Sequence, residues 1–175
     1  MIDDKTLITR VVSRDDHYAF SCLVNKYQSR IRQLLRRLTA GDHHLADDLA
    51  QETFITLYRK LNTYKGDASL NTWLHKIAYN HFYKSLDKSF QKHEHVEFDA
   101  LTHKAPDSAL EADIAIEQLM TSLSVPERTC LTLSVSAGMS HQEVANITKF
   151  PLGTVKSHIN RAKQKLLEQT RQQAS

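Results

Sequence analysis

Apolar residues recur at helical spacing along most of this chain. From residue 17 to 38, Phe20, Leu23, Val24, Tyr27, Ile31, Leu34, Leu35 and Leu38 fall on one side of a helix, so the segment is predicted to bury that stripe. Gly41 is placed to end it and Asp42 to cap the next helix: glycine terminates a helix without strain, and a carboxylate accepts from the free amides of a first turn. Leu45, Leu49, Thr53, Phe54, Leu57 and Leu61 carry the pattern onward. After the polar loop NTYKGDAS, a further helix starts near Leu70 with Trp73, Leu74, Ile77 and Ala78 turned inward and Lys76, Tyr79, Asn80, His81, Tyr83 and Lys84 on its outer surface. Before residue 17 lies a short opening segment to which the pattern assigns no element.

Periodicity lapses from about 89 to 107. The stretch EHVEFDALTHKAPDSALEAD, 94–113, carries Glu94, Glu97, Asp99, Asp107, Glu111 and Asp113 against the single Lys104, and this marks an acidic linker, 91–107, between domains at 1–90 and 108–175. Ser108 and Glu111 have capping-box spacing ahead of Ala112, Ala115, Ile116, Leu119, Met120 and Leu123. Pro126 opens the next helix, which runs through Cys130, Leu131 and Leu133 and stops at Gly138. A second capping box, Ser140 with Glu143, starts a short helix holding Val144, Ala145 and Ile147, and the turn TKFPL leads into a last helix with Val155, Ile159, Ala162 and Leu166 as its stripe. The fold class is therefore all-α, with two helical domains, and the last two helices form a helix-turn-helix.

Composition supports this: 41% hydrophobic and 25% charged residues describe a globular chain, and 4 Gly with 3 Pro leave few breaks in the helical pattern. A net charge of +3 is too small to demand nucleic acid, so the placement of charge matters more. Opposite the last stripe lie Ser157, Asn160, Arg161 and Gln164, flanked by Lys156, His158, Lys163 and Lys165, with no carboxylate before Glu168. Surface helices usually mix signs to gain i,i+4 pairs; a cationic face suits an anion, and the second helix of such a pair enters the major groove. KYQSRIRQLLRR is likewise free of acids. In the following helix Asp42 and Asp47 suit its positive end, whereas Asp48 and Glu52 lie beyond the first turn, where the dipole no longer accounts for them. The aromatic, amide and cationic groups interleaved over 76–84 suit single-stranded DNA; Trp73 is assigned to the core, while Tyr64 fits either role.

Three stretches in order, DHHLADDLAQETF, YKGDASLNTWLHKIAYN and VPERTCLTLSVSAGMSHQEVANITKFPLGTVKSHINRAKQKL, closely resemble bacterial RNA polymerase sigma factors of the extracytoplasmic-function group. The likeness covers nearly the whole chain apart from the linker and the last residues. It implies a sigma region 2-like domain that grips core RNA polymerase and reads the melted proximal promoter, and a sigma region 4-like domain that reads a distal element about three helical turns away. Carried over by residue, Asp48, Leu49, Gln51, Glu52 and Phe54 match the polymerase-docking helix, which gives the mid-helix acids a basic partner. Tyr64, Lys65 and Asp67 match a pocket for a flipped non-template base, with Asn80 beside it, and Lys76, Tyr83 and Lys84 extend that surface. Lys156, Ser157, Asn160 and Arg161 match base-reading positions, with Thr154, Lys163 and Lys165 on phosphates and His158 at the same face. The resemblance further implies an anti-sigma partner, a cytoplasmic location without membrane insertion, and no cofactor or metal. Two departures stand out: many members have Gly where Lys149 stands, and many carry dense arginine where this chain reads SLDKSFQKHEH.

Rival classes explain less. A helix-turn-helix repressor or activator that binds an operator without polymerase accounts for the C-terminal third but not for the docking acids. An enzyme is suggested only by 10 His; His44 with Asp48 makes half a metal site, HEH at 93–95 adds no properly spaced third ligand, and no nucleophile elbow or phosphate-binding glycine loop occurs. Cys22 and Cys130 sit on apolar stripes as small hydrophobes, no run has membrane length, and MIDDKTLITR lacks a signal peptide's apolar core.

Overall fold

A computed structural model describes residues 2–91 and 109–173, with no strand among them. The N-terminal helices are α1 (Asp4–Arg14), α2 (His17–Leu38), α3 (His43–Lys60) and α4 (Leu70–Gln91), with a 3-10 turn at Leu61–Thr63. The C-terminal helices are α5 (Ala109–Thr121), α6 (Val125–Leu131), α7 (His141–Thr148) and α8 (Leu152–Gln173), with a π turn, Thr132–Ser136, after α6. Gln91, expected to open the linker, is the last residue of α4, while the rest of the expected linker, 92–107, and the Ser108 capping residue lie outside the described residues.

Helix α2 forms where the apolar stripe required it. Leu23, Tyr27, Ile31, Leu34, Leu35 and Leu38 are buried, and α1, α3, α4, α5, α6 and the π turn all pack against it. Asp16 caps its start by accepting from the Ala19 amide at 2.9 Å. At its end Ala40 (φ 52°) and Gly41 (φ 87°) reverse the chain, and the Gly41 amide donates to the Arg36 carbonyl at 2.9 Å. Asp42 then caps α3, accepting from the Leu45 amide at 3.0 Å.

The opening segment is a helix that the pattern did not assign. Only Leu7 and Val11 of α1 are buried, one turn apart, so its apolar signal is short. Polar contacts supplement it: the Asp3 side chain accepts from the Thr6 amide at 2.7 Å, and Asp4 accepts from Lys26 at 2.6 Å and from the Tyr27 hydroxyl at 2.5 Å.

In the C-terminal half, Ser124 and Glu127 form a capping box at α6, and Ser140 with Glu143 forms the expected one at α7. The α-helix from Val125 ends at Leu131, not Gly138, because the chain widens into the π turn before Gly138 (φ 68°) reverses it. Val155, Ile159 and Ala162 of α8 are buried, with Leu166 packed at the margin. Cys130 is buried and its thiol is pushed up to about 11 by burial, whereas Cys22 is only half-buried.

Lys149 keeps the turn geometry that glycine ordinarily supplies. It lies at φ 64°, ψ 13°, and its amide donates to the Ala145 carbonyl at 2.9 Å. A left-handed residue with a Cβ costs roughly 1–2 kcal/mol, of which glycine's extra freedom in the unfolded chain gives back part. Lys149→Gly is therefore expected to stabilise the protein by about 1 kcal/mol in urea denaturation, and Lys149→Ala to leave stability nearly unchanged.

Candidate functional site

Helices α2 and α3 lie side by side without closing on one another along their full length. Between them runs a groove of about 840 Å³ lined from α2 by His17, Phe20, Val24, Gln28 and Arg32 and from α3 by Asp47, Asp48, Ala50, Gln51, Phe54, Ile55, Tyr58 and Arg59. Its floor is apolar and its rim is charged, with Arg32 and Asp47 3.7 Å apart across the mouth. Phe20 and Tyr58 meet edge to face at 4.9 Å, and the Tyr58 hydroxyl donates to Asp15, which raises the phenol's pKa.

Of the five expected docking residues, Asp48, Gln51 and Phe54 line this groove. Glu52 is exposed on the same helix outside the lining, and Leu49 is a core residue at 7% exposure that holds α3 against its neighbours. Phe20, Val24, Ile55 and Tyr58 were not among the expected site residues. Their signal was present: the i,i+4 pairs Phe20/Val24 and Phe54/Tyr58 give two helices more apolar surface than one buried stripe each requires.

The loop before α4 brings the second set together. Tyr64 is half-buried; its hydroxyl donates to the Ala68 carbonyl at 2.6 Å and its ring centroid lies 5.2 Å from that of Trp73. That contact fixes the loop's base while Lys65, Gly66 (φ 80°) and Asp67 stand exposed above it. On α4, Lys76, Asn80, Tyr83 and Lys84 share one exposed face. Tyr79 is not on it: the residue is buried, and burial pushes its phenol up to about 12. His81 is half-buried beside the Thr56 hydroxyl at 2.8 Å.

The third set lies on α8. Lys156, Ser157, Asn160, Arg161 and Lys163 are exposed, with Thr154 half-buried at the first turn. His158 is less available, because its ring packs 5.6 Å from Phe150 in the turn and its Nδ1 is buried. Lys165 is already engaged: its ammonium donates to Glu127 at 2.8 Å, and Glu127 is 4% exposed. Burial draws that carboxyl upward, but Lys165 together with the amide and hydroxyl of Ser124 outweighs it and holds the pKa below the usual carboxylate range. Among the described residues, no group of three His, Cys, Asp or Glu could hold a metal, and no helix is long and apolar enough to cross a membrane.

Residues 23–89 match the family model of sigma-70 region 2, and residues 113–166 match that of sigma-70 region 4. The chain is 34% identical to the RNA polymerase sigma-H factor of Pseudomonas aeruginosa, over 92% of this chain and 90% of that protein. It is equally 34% identical to the extracytoplasmic-function sigma-E factor of Escherichia coli K12, over 93% and 92%. The chain is an extracytoplasmic-function sigma factor. Among solved structures it resembles the sigma factor RpoE of Bartonella quintana in complex with the anti-sigma factor NepR, with a TM-score of 0.70 and 26% identity over 85% of this chain and 94% of that one. It also shares the fold of CnrH in complex with the cytosolic domain of CnrY, with a TM-score of 0.67 and 21% identity over 95% and 96%. This sigma factor directs RNA polymerase to promoters and is not an enzyme.

The helix carrying the proximal surface depends on a buried histidine. His75 of α4 is 2% exposed and its Nδ1–H donates to the Asn71 carbonyl at 2.7 Å; burial, the leading cause, lowers its pKa. The folded chain thus favours the neutral ring, as it does at His81, also through burial. Unfolding takes up protons below the ordinary histidine value of about 6.5, so this contribution is present above that pH and is lost as pH falls through it toward the lowered folded value. Thermal melts from pH 7.5 to 5 should show falling stability, with a shallower fall in His75→Asn; equal slopes would contradict the assignment.

Proposed function

We propose that this sigma factor divides its work among the three surfaces. The α2/α3 groove receives a helical segment of core RNA polymerase: apolar side chains of the partner fill the floor over Phe20, Phe54 and Tyr58, while basic groups meet Asp48 and the neighbouring Glu52. Such complementarity sets register and speeds encounter, and the buried aromatics contribute most of the affinity. The loop at Tyr64, Lys65 and Asp67, with Asn80 beside it, accepts an unstacked base of the non-template strand. Lys76, Tyr83 and Lys84 guide the strand across α4 by neutralising phosphates and offering a stacking face.

Helix α8 enters the major groove of the distal promoter element. Arg161 presents two donors suited to guanine and Asn160 the donor–acceptor pair suited to adenine, while Lys156, Lys163 and Thr154 position the helix on phosphates. Lys165 serves chiefly as the counter-ion of Glu127, and His158 chiefly packs the turn. The protein acts in the cytoplasm, and an anti-sigma polypeptide restrains it by covering the docking groove; the complexes with NepR and CnrY formed by proteins of this fold support that reading.

The observation that carries the division is the groove itself, which joins an apolar floor to an acidic rim on the helix that the family resemblance assigns to polymerase. Co-elution with core polymerase should weaken tenfold or more for Asp48→Arg and for Phe54→Ala, and remain unchanged for Lys156→Ala. In run-off transcription, Arg161→Ala should relax base choice at one distal position, a discrimination of roughly 1–3 kcal/mol, while Lys163→Ala lowers output evenly across sequences. Uniform loss in both variants would contradict the assignment of base reading to Arg161.

A further inference from the structure

Helix α1 precedes the match to sigma-70 region 2, which begins at residue 23, and none of the three surfaces uses it. It is built instead against the base of the loop that carries Tyr64. Leu7 and Val11 are buried, and the helix packs on α2 and on the 3-10 turn Leu61–Thr63, where Leu61 is 1% exposed. The Tyr64 amide donates to the Leu61 carbonyl at 3.2 Å, so the turn runs directly into the loop. At the start of α1, one carboxylate oxygen of Asp4 accepts from the Lys26 ammonium at 2.6 Å and the other from the Tyr27 hydroxyl at 2.5 Å. Tyr27 is buried, and its phenol is raised well above its ordinary value by burial first, then by Asp4, with Tyr64 adding to the rise. The field of Asp4 reaches Tyr64 as well: that phenol is raised by burial first, then by Asp4 and Asp67. Asp4, Tyr27 and Tyr64 thus form one group beneath the loop.

We propose that Asp4 is a positioning residue for the base-accepting loop, acting through its hydrogen bond to the Tyr27 hydroxyl. A buried hydroxyl requires an acceptor, and Asp4 supplies it, which holds the phenol in one orientation beside the 3-10 turn. Tyr64 is fixed from within the loop, by the Ala68 carbonyl and the Trp73 ring, and from below, through the turn, by α1. Removing the acceptor leaves the Tyr27 hydroxyl unsatisfied, and the turn and Tyr64 shift to relieve it. A pocket for an unstacked base has to be formed in advance, because the base recovers its lost stacking only if the walls already stand in place. Lys26 balances the charge of Asp4 from the exposed side and is not needed to orient Tyr27.

The inference deepens the reading of the Tyr64 loop as a base pocket and rests on it, and an abasic scan separates the two. Holoenzyme formed from core polymerase and the full-length protein is titrated with fluorescent single strands that carry the non-template sequence of a promoter it transcribes, each with one nucleotide replaced by an abasic site. With the wild-type protein, one abasic position should weaken binding roughly fivefold or more; if no position does, the base-pocket reading itself fails. In Tyr27→Phe and Asp4→Ala, the intact strand should bind about as weakly as the wild type binds that abasic strand, and the abasic site should cost nothing further. The double variant should be no worse than either single one, because both remove the same bond. Lys26→Met should bind like the wild type. Tyr27→Phe keeps its ring in the core, so it tests the bond even if Asp4→Ala folds poorly. Wild-type affinity with a full abasic penalty in Tyr27→Phe overturns the proposal. So does an equal loss of core-polymerase co-elution, since a merely structural role would weaken every surface alike. An equal loss in Lys26→Met overturns the route through Tyr27.

Discussion

Burial of the stripe along α2 is the constraint on which the rest depends. Ile31, Leu35 and Leu38 are fully enclosed because six other elements converge on this one helix, and truncating any of the three would cost about 2–5 kcal/mol. The same helix serves three purposes along its length. Its first turns leave Phe20 and Val24 half-covered to floor the groove, its middle anchors α3 and α4, and its end presents Arg37 and the Leu38 carbonyl to the C-terminal half. Core packing and partner recognition are therefore coupled through one rigid body, and a residue that tilts α2 shifts the groove and the contact between the halves together.

Charge is distributed by the same economy. Buried carboxylates are given partners, Lys165 in an ion pair with Glu127 and the His43 ring nitrogen 2.6 Å from Glu117, because an isolated carboxylate at those depths would be strongly disfavoured. Among the described residues, Lys156, Arg161 and Lys163 of the α8 reading face form no ion pair, and they stay exposed. An ion pair in water contributes little, so a face without carboxylates sacrifices little stability and keeps its charge available to an anion.

The long helices were legible because period, caps and breakers agreed: α2, α3, α4, α7 and α8 begin at or within a residue or two of where apolar spacing, Asp42, Leu70, Ser140 and the TKFPL turn placed them. Helix α1 was not, since two buried residues make a weak period and Asp4's bonds to Lys26 and Tyr27 are tertiary. The π turn escaped for a related reason: its widened spacing leaves Leu131, Thr132 and Leu133 all buried in succession, which reads in sequence as a continuing helix. At the sites, Asp48, Gln51 and Phe54 followed from family resemblance. Leu49's place in the core follows the apolar stripe rather than the docking role, whereas the pairing of Lys165 with Glu127 could emerge only once distant segments met and the packing of His158 on Phe150 only once the turn had set its geometry. Lys149 shows the turn prevailing over local preference, with a strained residue kept in the left-handed conformation because flanking helices dictate the chain's path.

The central claim is that one chain supplies sequence choice to polymerase through two surfaces on separate halves. It is tested most directly by run-off transcription from a library of random promoters with purified core polymerase, with and without this protein. The account predicts that initiation becomes dependent on two sequence elements at fixed spacing, and only when the protein is present. Unchanged initiation, together with tight binding of the protein alone to a palindromic duplex, would contradict it.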